Sequence, residues 1–193
     1  MELNLKEHSV KHFVENKWID LREVWYDTPE GRVSGPYYTY SRKNYCVIVA
    51  TDEAGRYLCV QQYRPGLHQV TTEFPAGGID RLGDRQYGSL DDPGQEDPLT
   101  AAKRELREET GYVSEDWEAL LTVPSQATMA DNYAYVFRAR NCRRVDGQHL
   151  DEDEYLNVLL LSPEELAEAI EAGRFEQAVH IMAWAYDRLR DKA

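Results

Sequence analysis

Glu105, Glu108 and Glu109 lie within the stretch RELREETGY at residues 104–112, where five of nine residues are charged. Spacings of three and four bring all three carboxylates to one side of a helix. Like charges at that spacing cost a helix roughly a few tenths of a kcal/mol per pair, so the cluster calls for compensation. Lys103, Arg104 and Arg107 can lace the face with ion pairs, as on most charge-dense solvated helices. A divalent cation can do the same work, because hard cations take oxygen ligands. The nine residues alone leave both open.

The helix that carries them is well bounded. Asp97 is a good N-cap, Pro98 fits the first helical position, and Gly111 suits a left-handed C-cap. Ahead of it, β-branched and aromatic alternation predicts strands near Lys17–Tyr26, Gly35–Tyr40, Tyr45–Thr51, Tyr57–Tyr63 and Gln69–Phe74. Glu53-Ala54-Gly55-Arg56 reads as a hairpin turn, and the Gly- and Asp-rich residues 81–95 as a loop. Further strands are expected at Trp117–Pro124, Tyr133–Arg140 and Leu156–Leu161. Ser162 then caps a helix to about Ala172, and a last helix covers Glu176–Arg190.

Bulk properties limit what such a chain can do. At 193 residues it suits one domain, or one domain with an added arm. Hydrophobic residues at 42% and charged residues at 30% are ordinary globular values. A net charge of −13 argues against nucleic acid, whose phosphates demand a basic face. No apolar run approaches the ~20 residues of a spanning helix, and MELNLKEHSV lacks the apolar core of a signal peptide. No membrane partner and a cytoplasmic location are therefore expected. Cys46, Cys59 and Cys142 form no C-x-x-C pair, which favours buried thiols over a disulfide or zinc site.

Over a longer window Glu96, Arg104, Glu105, Leu106, Glu108, Glu109, Gly111 and Tyr112 fall at the spacing of a known signature. The segment resembles the Nudix hydrolase box: glycine, five residues, glutamate, seven residues, Arg-Glu, apolar, any, Glu-Glu, any, glycine, apolar. The departure is at the first glycine, since Leu90 stands six before Glu96. Aligning Gly78-Ile79-Asp80 with the start of the pattern leaves residues 81–92 as a twelve-residue insertion. CVQQYRPG at 59–66, EFPAGGID at 73–80 and LDEDEYLNVLLLSPEEL at 150–166 are similar to the branch that hydrolyses ADP-ribose and related nucleoside diphosphate sugars.

The resemblance implies an α/β fold: a Nudix α/β/α sandwich around a mixed β-sheet (residues 41–193), preceded by a small N-terminal β arm (residues 1–40). It implies magnesium, with manganese able to substitute, held by Glu105, Glu108, Glu109 and the backbone carbonyl of Ala76. Glu96 would either support the ligands from behind or be an additional metal-side carboxylate, and Arg104 would orient the box glutamates. Arg64 would face the substrate, where a planar guanidinium suits phosphate or ribose oxygens. A surface ion pair is the competing role. Trp18, Trp25, Tyr26 and Tyr37 could stack a nucleobase, build a homodimer interface like that of related enzymes, or simply pack in strands.

A general base must reach the attacking water without being neutralised by direct metal ligation. The resemblance points to a glutamate in the acidic loop at 151–154, and Glu152 is the first candidate with Glu154 second. Neighbouring carboxylates there repel one another, which raises their proton affinity. A solvated acidic turn is the bland alternative. The expected activity is metal-dependent hydrolysis of a nucleoside diphosphate sugar to a nucleoside monophosphate and a sugar phosphate. Alternatives are a nucleoside triphosphate pyrophosphatase and a non-catalytic module that senses nucleotide sugars.

Overall fold

The computed structural model describes residues 3–83, 87, 93–152 and 154–191. Most of the insertion, residues 84–86 and 88–92, therefore lies outside the described residues, as does Asp153 of the acidic loop. The chain forms two compact units. One comprises Met1–Asn44, Asp80–Glu96 and Pro124–Tyr133, the other Tyr45–Ile79, Asp97–Val123 and Ala134–Ala193.

The first unit is built on an antiparallel sheet of β1 (Lys6–Glu15), β2 (Asp20–Asp27) and β3 (Val33–Ser41) in that order. Val24 of β2 is buried and carries the alternating signal. β1 has no counterpart among the expected strands. Nine of its ten residues are exposed and none is buried, so it lacks the period-2 apolar face that sequence reading detects. The ladder to β2, from Lys6↔Asp27 to Glu15↔Asp20, holds it. The segment 124–133 is tied to β3, Tyr40 donating its amide to the Met129 carbonyl at 2.7 Å.

The second unit contains β4 (Tyr45–Asp52), β5 (Tyr57–Arg64), β6 (Gln69–Glu73), β7 (Ala76–Gly78), α1 (Pro98–Thr110), β8 (Tyr112–Val113), β9 (Asp116–Pro124), β10 (Tyr133–Arg144), β11 (Leu156–Leu161), α2 (Pro163–Glu171) and α3 (Ala178–Arg190). The strand order is β11-β5-β4-β10-β8, with β6 on β5, β7 on β4 and β9 on β10. β10 runs parallel to β4, while β11–β5, β4–β5, β5–β6, β4–β7 and β10–β8 pair antiparallel, so the sheet is mixed. The expected turn at 53–56 closes on Asp52, whose carboxylate accepts the Ala54 and Arg56 amides at 3.0 and 2.8 Å.

Alternation along β4 makes the layers. Cys46, Ile48 and Ala50 face one way and pack with Ala101, Ala102 and Leu106 of α1. Val47 and Val49 face the other way and pack with Leu166 and Ala169 of α2 and Ala183 of α3. A sheet buried on both faces reads as a continuous apolar run, as YCVIVA does here. Helices on both faces make this unit the expected α/β/α sandwich.

β7 and β8, at three and two residues, are too short to signal themselves. β10 continues past the expected end at Arg140 because a register shift between Ala139 and Cys142 carries it on. There Asn141 takes the left-handed conformation, φ 54°. The last helix starts at Ala178, with Gln177 as N-cap. All three cysteines are free and buried, and burial pushes each thiol up to about 12. Among the described residues no helix is long and apolar enough to cross a membrane.

Candidate active site

α1 begins and ends where its sequence says. The Asp97 carboxylate accepts the Thr100 amide at 2.9 Å, and Gly111 adopts φ 73° while its amide reaches the Arg107 carbonyl at 2.8 Å. Glycine is required at 111 twice over, because a Cβ there would also strike the Asp146 carbonyl. The helix buries Ala101, Ala102 and Leu106, which fixes the rotation that places the glutamates. Their exposure is graded. Glu109 is buried at 5%, while the Glu105 and Glu108 side chains are 12% and 41% exposed.

β7 supplies the facing wall. The Ala76 amide donates to Glu109 Oε2 at 3.0 Å, and a Cβ on Gly77 would sit inside the Glu105 carboxylate. Gly77 is therefore a close-approach glycine, open to the carboxylate because it has no side chain. Arg104 bridges Glu105 Oε1 and Glu108 Oε2 from Nη1, at 2.8 and 3.0 Å, and donates from Nη2 to the Gly78 carbonyl at 3.1 Å. Arg104 thus ties two box carboxylates to the backbone of β7.

Burial pushes Glu105 up to about 7, with Glu108 and Glu154 adding to the rise and Arg104 opposing it. Burial also raises Glu109 well above the ordinary carboxylate range; Glu105 and Glu154 add to this, and the Ala76 amide opposes it. Carboxylates that resist ionisation through burial and mutual repulsion are groups a divalent cation would stabilise as anions. The donor set of hard oxygens therefore fits such an ion. Among the described residues, no three acidic, histidine or cysteine side chains are already gathered at ligand distance. Arg104 holds Glu105 and Glu108, and the Ala76 amide holds Glu109.

The acidic loop is anchored to the C-terminal end of α1. The His149 amide donates to the Glu108 carbonyl at 2.8 Å, and Gln148 Nε2 to the Glu109 carbonyl at 2.8 Å. These satisfy carbonyls that the last turn of a helix leaves without partners. Beyond the anchor, the Glu154 amide donates to the Asp151 carbonyl at 3.0 Å, and the Asp151 amide to Glu154 Oε2 at 3.2 Å. Glu152 and Glu154 are both exposed. The charge of Glu154 adds to the rise at both Glu105 and Glu109.

Arg64 makes a two-point pair with buried Glu73, Nε to Oε1 at 2.8 Å and Nη2 to Oε2 at 2.5 Å. The Glu73 side chain is 0% exposed and that of Arg64 34%, so the arginine reaches from the surface to an interior partner. In the first unit, the Glu96 amide donates to the Asp80 carbonyl at 2.8 Å and its carboxylate accepts the Asp80 amide at 3.4 Å. Trp25 donates from Nε1 to Glu23 at 3.0 Å and packs against Gly35, where a Cβ would lie 3.0 Å from the ring. Tyr26 meets Tyr37 edge-on at 5.6 Å and borders a groove of about 590 Å³ with Arg22, Thr39 and Met129.

A NUDIX domain model matches residues 41–184, which include α1, β7 and the acidic loop. The chain belongs to the Nudix family. With its box carboxylates in place it is a Nudix pyrophosphohydrolase, a class that works with divalent metal. It is 27% identical to the ADP-ribose pyrophosphatase of Bacillus subtilis (strain 168) over 91% of this chain and 88% of that protein. It is 28% identical to the methanol dehydrogenase activator of Bacillus methanolicus over 75% of this chain and 71% of that protein. In fold it is similar to a crystal structure of an ADP compounds hydrolase, with TM-score 0.79 at 20% identity, covering 98% of this chain and 95% of that one.

Proposed function

We propose that this Nudix enzyme hydrolyses the pyrophosphate bond of a nucleoside diphosphate sugar, with ADP-ribose the first candidate. The products would be a nucleoside monophosphate and a sugar phosphate. The observation that carries this reading is the carboxylate cluster of α1 set against β7, with Gly77 open to the Glu105 carboxylate, the Ala76 amide on Glu109 and Arg104 bridging Glu105 and Glu108. Near-full-length similarity to an ADP-ribose pyrophosphatase supports the substrate class.

Glu105, Glu108 and Glu109, with the Ala76 carbonyl, would hold magnesium, and manganese would substitute. When bound, the cation supplies the positive charge that cleavage between two phosphates demands. Arg104 aligns Glu105 and Glu108 through its shared Nη1. We assign the general base to Glu154 in preference to Glu152. A base on a loop pinned to the helix by Gln148 and His149 stays near the box yet remains available to accept the proton of the attacking water. Glu154→Gln should lose turnover while keeping substrate affinity, and Glu152→Gln should change neither.

Arg64 would meet the pyrophosphate of the substrate. Residues 1–40 would form an arm that pairs two copies, and residues 41–193 the hydrolase domain. Reduced, buried thiols fit a cytoplasmic setting. The test is a panel of nucleotide sugars and nucleoside triphosphates with magnesium. Preference for ADP-ribose or another nucleotide sugar supports the reading, and preference for triphosphates supports the pyrophosphatase alternative.

A further inference from the structure

Glu73 is fully buried, with relative exposure 0%, yet no box position accounts for it. Its two oxygens accept from Arg64 Nε at 2.8 Å, Arg64 Nη2 at 2.5 Å, the Thr71 hydroxyl, and Gln177 Nε2 at 3.3 Å. Four donors fill the acceptor capacity of a carboxylate. Burial alone would raise its proton affinity, but the bonds from Arg64 and Thr71 hold it below the ordinary range, so it stays an anion. Buried ion pairs are poor stabilisers compared with apolar packing of the same volume, and stability alone is a weak reason to keep one here.

The β5–β6 register shows what the pair does. Val60 pairs with Glu73, Gln62 with Thr71 and Arg64 with Gln69. Alternation brings Arg64, Thr71 and Glu73 to one face of the hairpin. Arg64, the last residue of β5, bends back over Thr71 to reach Glu73. That side-on grip occupies Nε and one hydrogen of Nη2. The outer edge, Nη1 and the second hydrogen of Nη2, has no protein acceptor among the described residues, and it is the edge that suits two phosphate oxygens. The same short run also fixes the metal wall. The Phe74 amide donates to His180 Nδ1 at 3.1 Å, and the Ala76 amide donates to Glu109 at 3.0 Å. Glu73, Phe74 and Ala76 thus tie Arg64, α3 and the box helix to one stretch of backbone.

We propose that Glu73 is a positioning residue: it locks the Arg64 guanidinium so that its free edge is set for the pyrophosphate of the substrate before the substrate arrives. This rests on Arg64 being a substrate contact, as stated under the proposed function. Preorganisation of this kind removes the ordering cost of a long, flexible side chain at the moment of binding.

A double-mutant cycle on the magnesium-loaded enzyme with ADP-ribose tests it, read as kcat/KM and, in parallel, as Kd for ADP. Arg64→Ala is expected to lower kcat/KM about 100-fold and Glu73→Gln about tenfold, with the double variant within about twofold of Arg64→Ala. A Glu73→Gln enzyme at the parental kcat/KM overturns the proposal, as do losses that multiply in the double variant, the mark of a merely structural role. Parental values for Arg64→Ala would instead sink the substrate-contact reading of Arg64. Failure of all proteins to turn over ADP-ribose would sink the substrate assignment, and the ADP cycle then decides the positioning role. Should Glu73→Gln not fold, Gln177→Ala replaces it. It is expected to cost about threefold in the parental background and nothing in Arg64→Ala, and an equal loss in both backgrounds overturns the proposal.

Discussion

At the scale of single residues, Glu109 is the most constrained member of the box: buried, held by the Ala76 amide, and crowded by Glu105. Glutamine keeps its shape and its acceptor oxygen but removes the charge. Glu109→Gln should therefore lose at least ~100-fold in kcat at saturating magnesium. Its metal-free thermal midpoint should be at or above the parental one, because the variant no longer buries a strained carboxyl. Near-parental turnover would remove Glu109 from the metal site. His180 gives a second, independent residue-level prediction. Burial depresses it from 6.5 to about 4, so between these values the unfolded chain binds a proton that the folded one refuses. Stability should fall as pH drops through that window, by about 3 kcal/mol in all. Glu105 and Glu109 titrate with the opposite sign, their folded values being raised, but they do so equally in a His180→Gln variant. The difference between parent and variant in urea unfolding at pH 7 and pH 4.5 isolates the histidine, and an identical pH dependence in both would refute the assignment. Spacing alone exposed Glu105, Glu108 and Glu109. The role of the Ala76 amide was invisible because it arises between residues 33 positions apart, and that of Glu73 because its pairing with Arg64 depends on the β5–β6 register.

At the scale of elements, α1 was readable because Asp97, Pro98 and Gly111 mark its ends chemically and Leu106 its buried side. β4 was readable because both of its faces are apolar. β1 gave no signal because main-chain pairing holds it without a buried face, and β7 because three residues carry no period. Yet β7 decides the site, through the approach of Gly77 to Glu105. Gly77→Ala should push the Glu105 carboxylate aside and raise the magnesium needed for half-maximal activity about tenfold. The displaced group is the far end of a flexible side chain, so the unfolding free energy should change by less than about 1 kcal/mol. A magnesium titration of activity beside urea unfolding checks both halves, and an unchanged magnesium requirement would contradict the close-approach role. Leu106→Ala, by contrast, removes the packing that sets the rotation of α1 and should destabilise the protein by about 2–5 kcal/mol.

At the scale of the whole molecule, the first unit leaves Phe13, Val14, Trp18, Tyr37 and Tyr38 exposed. A small sheet with that much aromatic surface suits a self-complementary partner. The protein should sediment as a homodimer at micromolar concentration, and a chain shortened to remove β1 should not; a full-length monomer would contradict the pairing. If the α1 carboxylates hold a cation that drives pyrophosphate cleavage, turnover must follow the metal. The most direct test follows products from ADP-ribose as magnesium is raised and then chelated. AMP and ribose 5-phosphate are expected in equal amounts, at a rate that saturates with magnesium and vanishes on chelation. Turnover indifferent to chelation, or no AMP at any magnesium concentration, would contradict it.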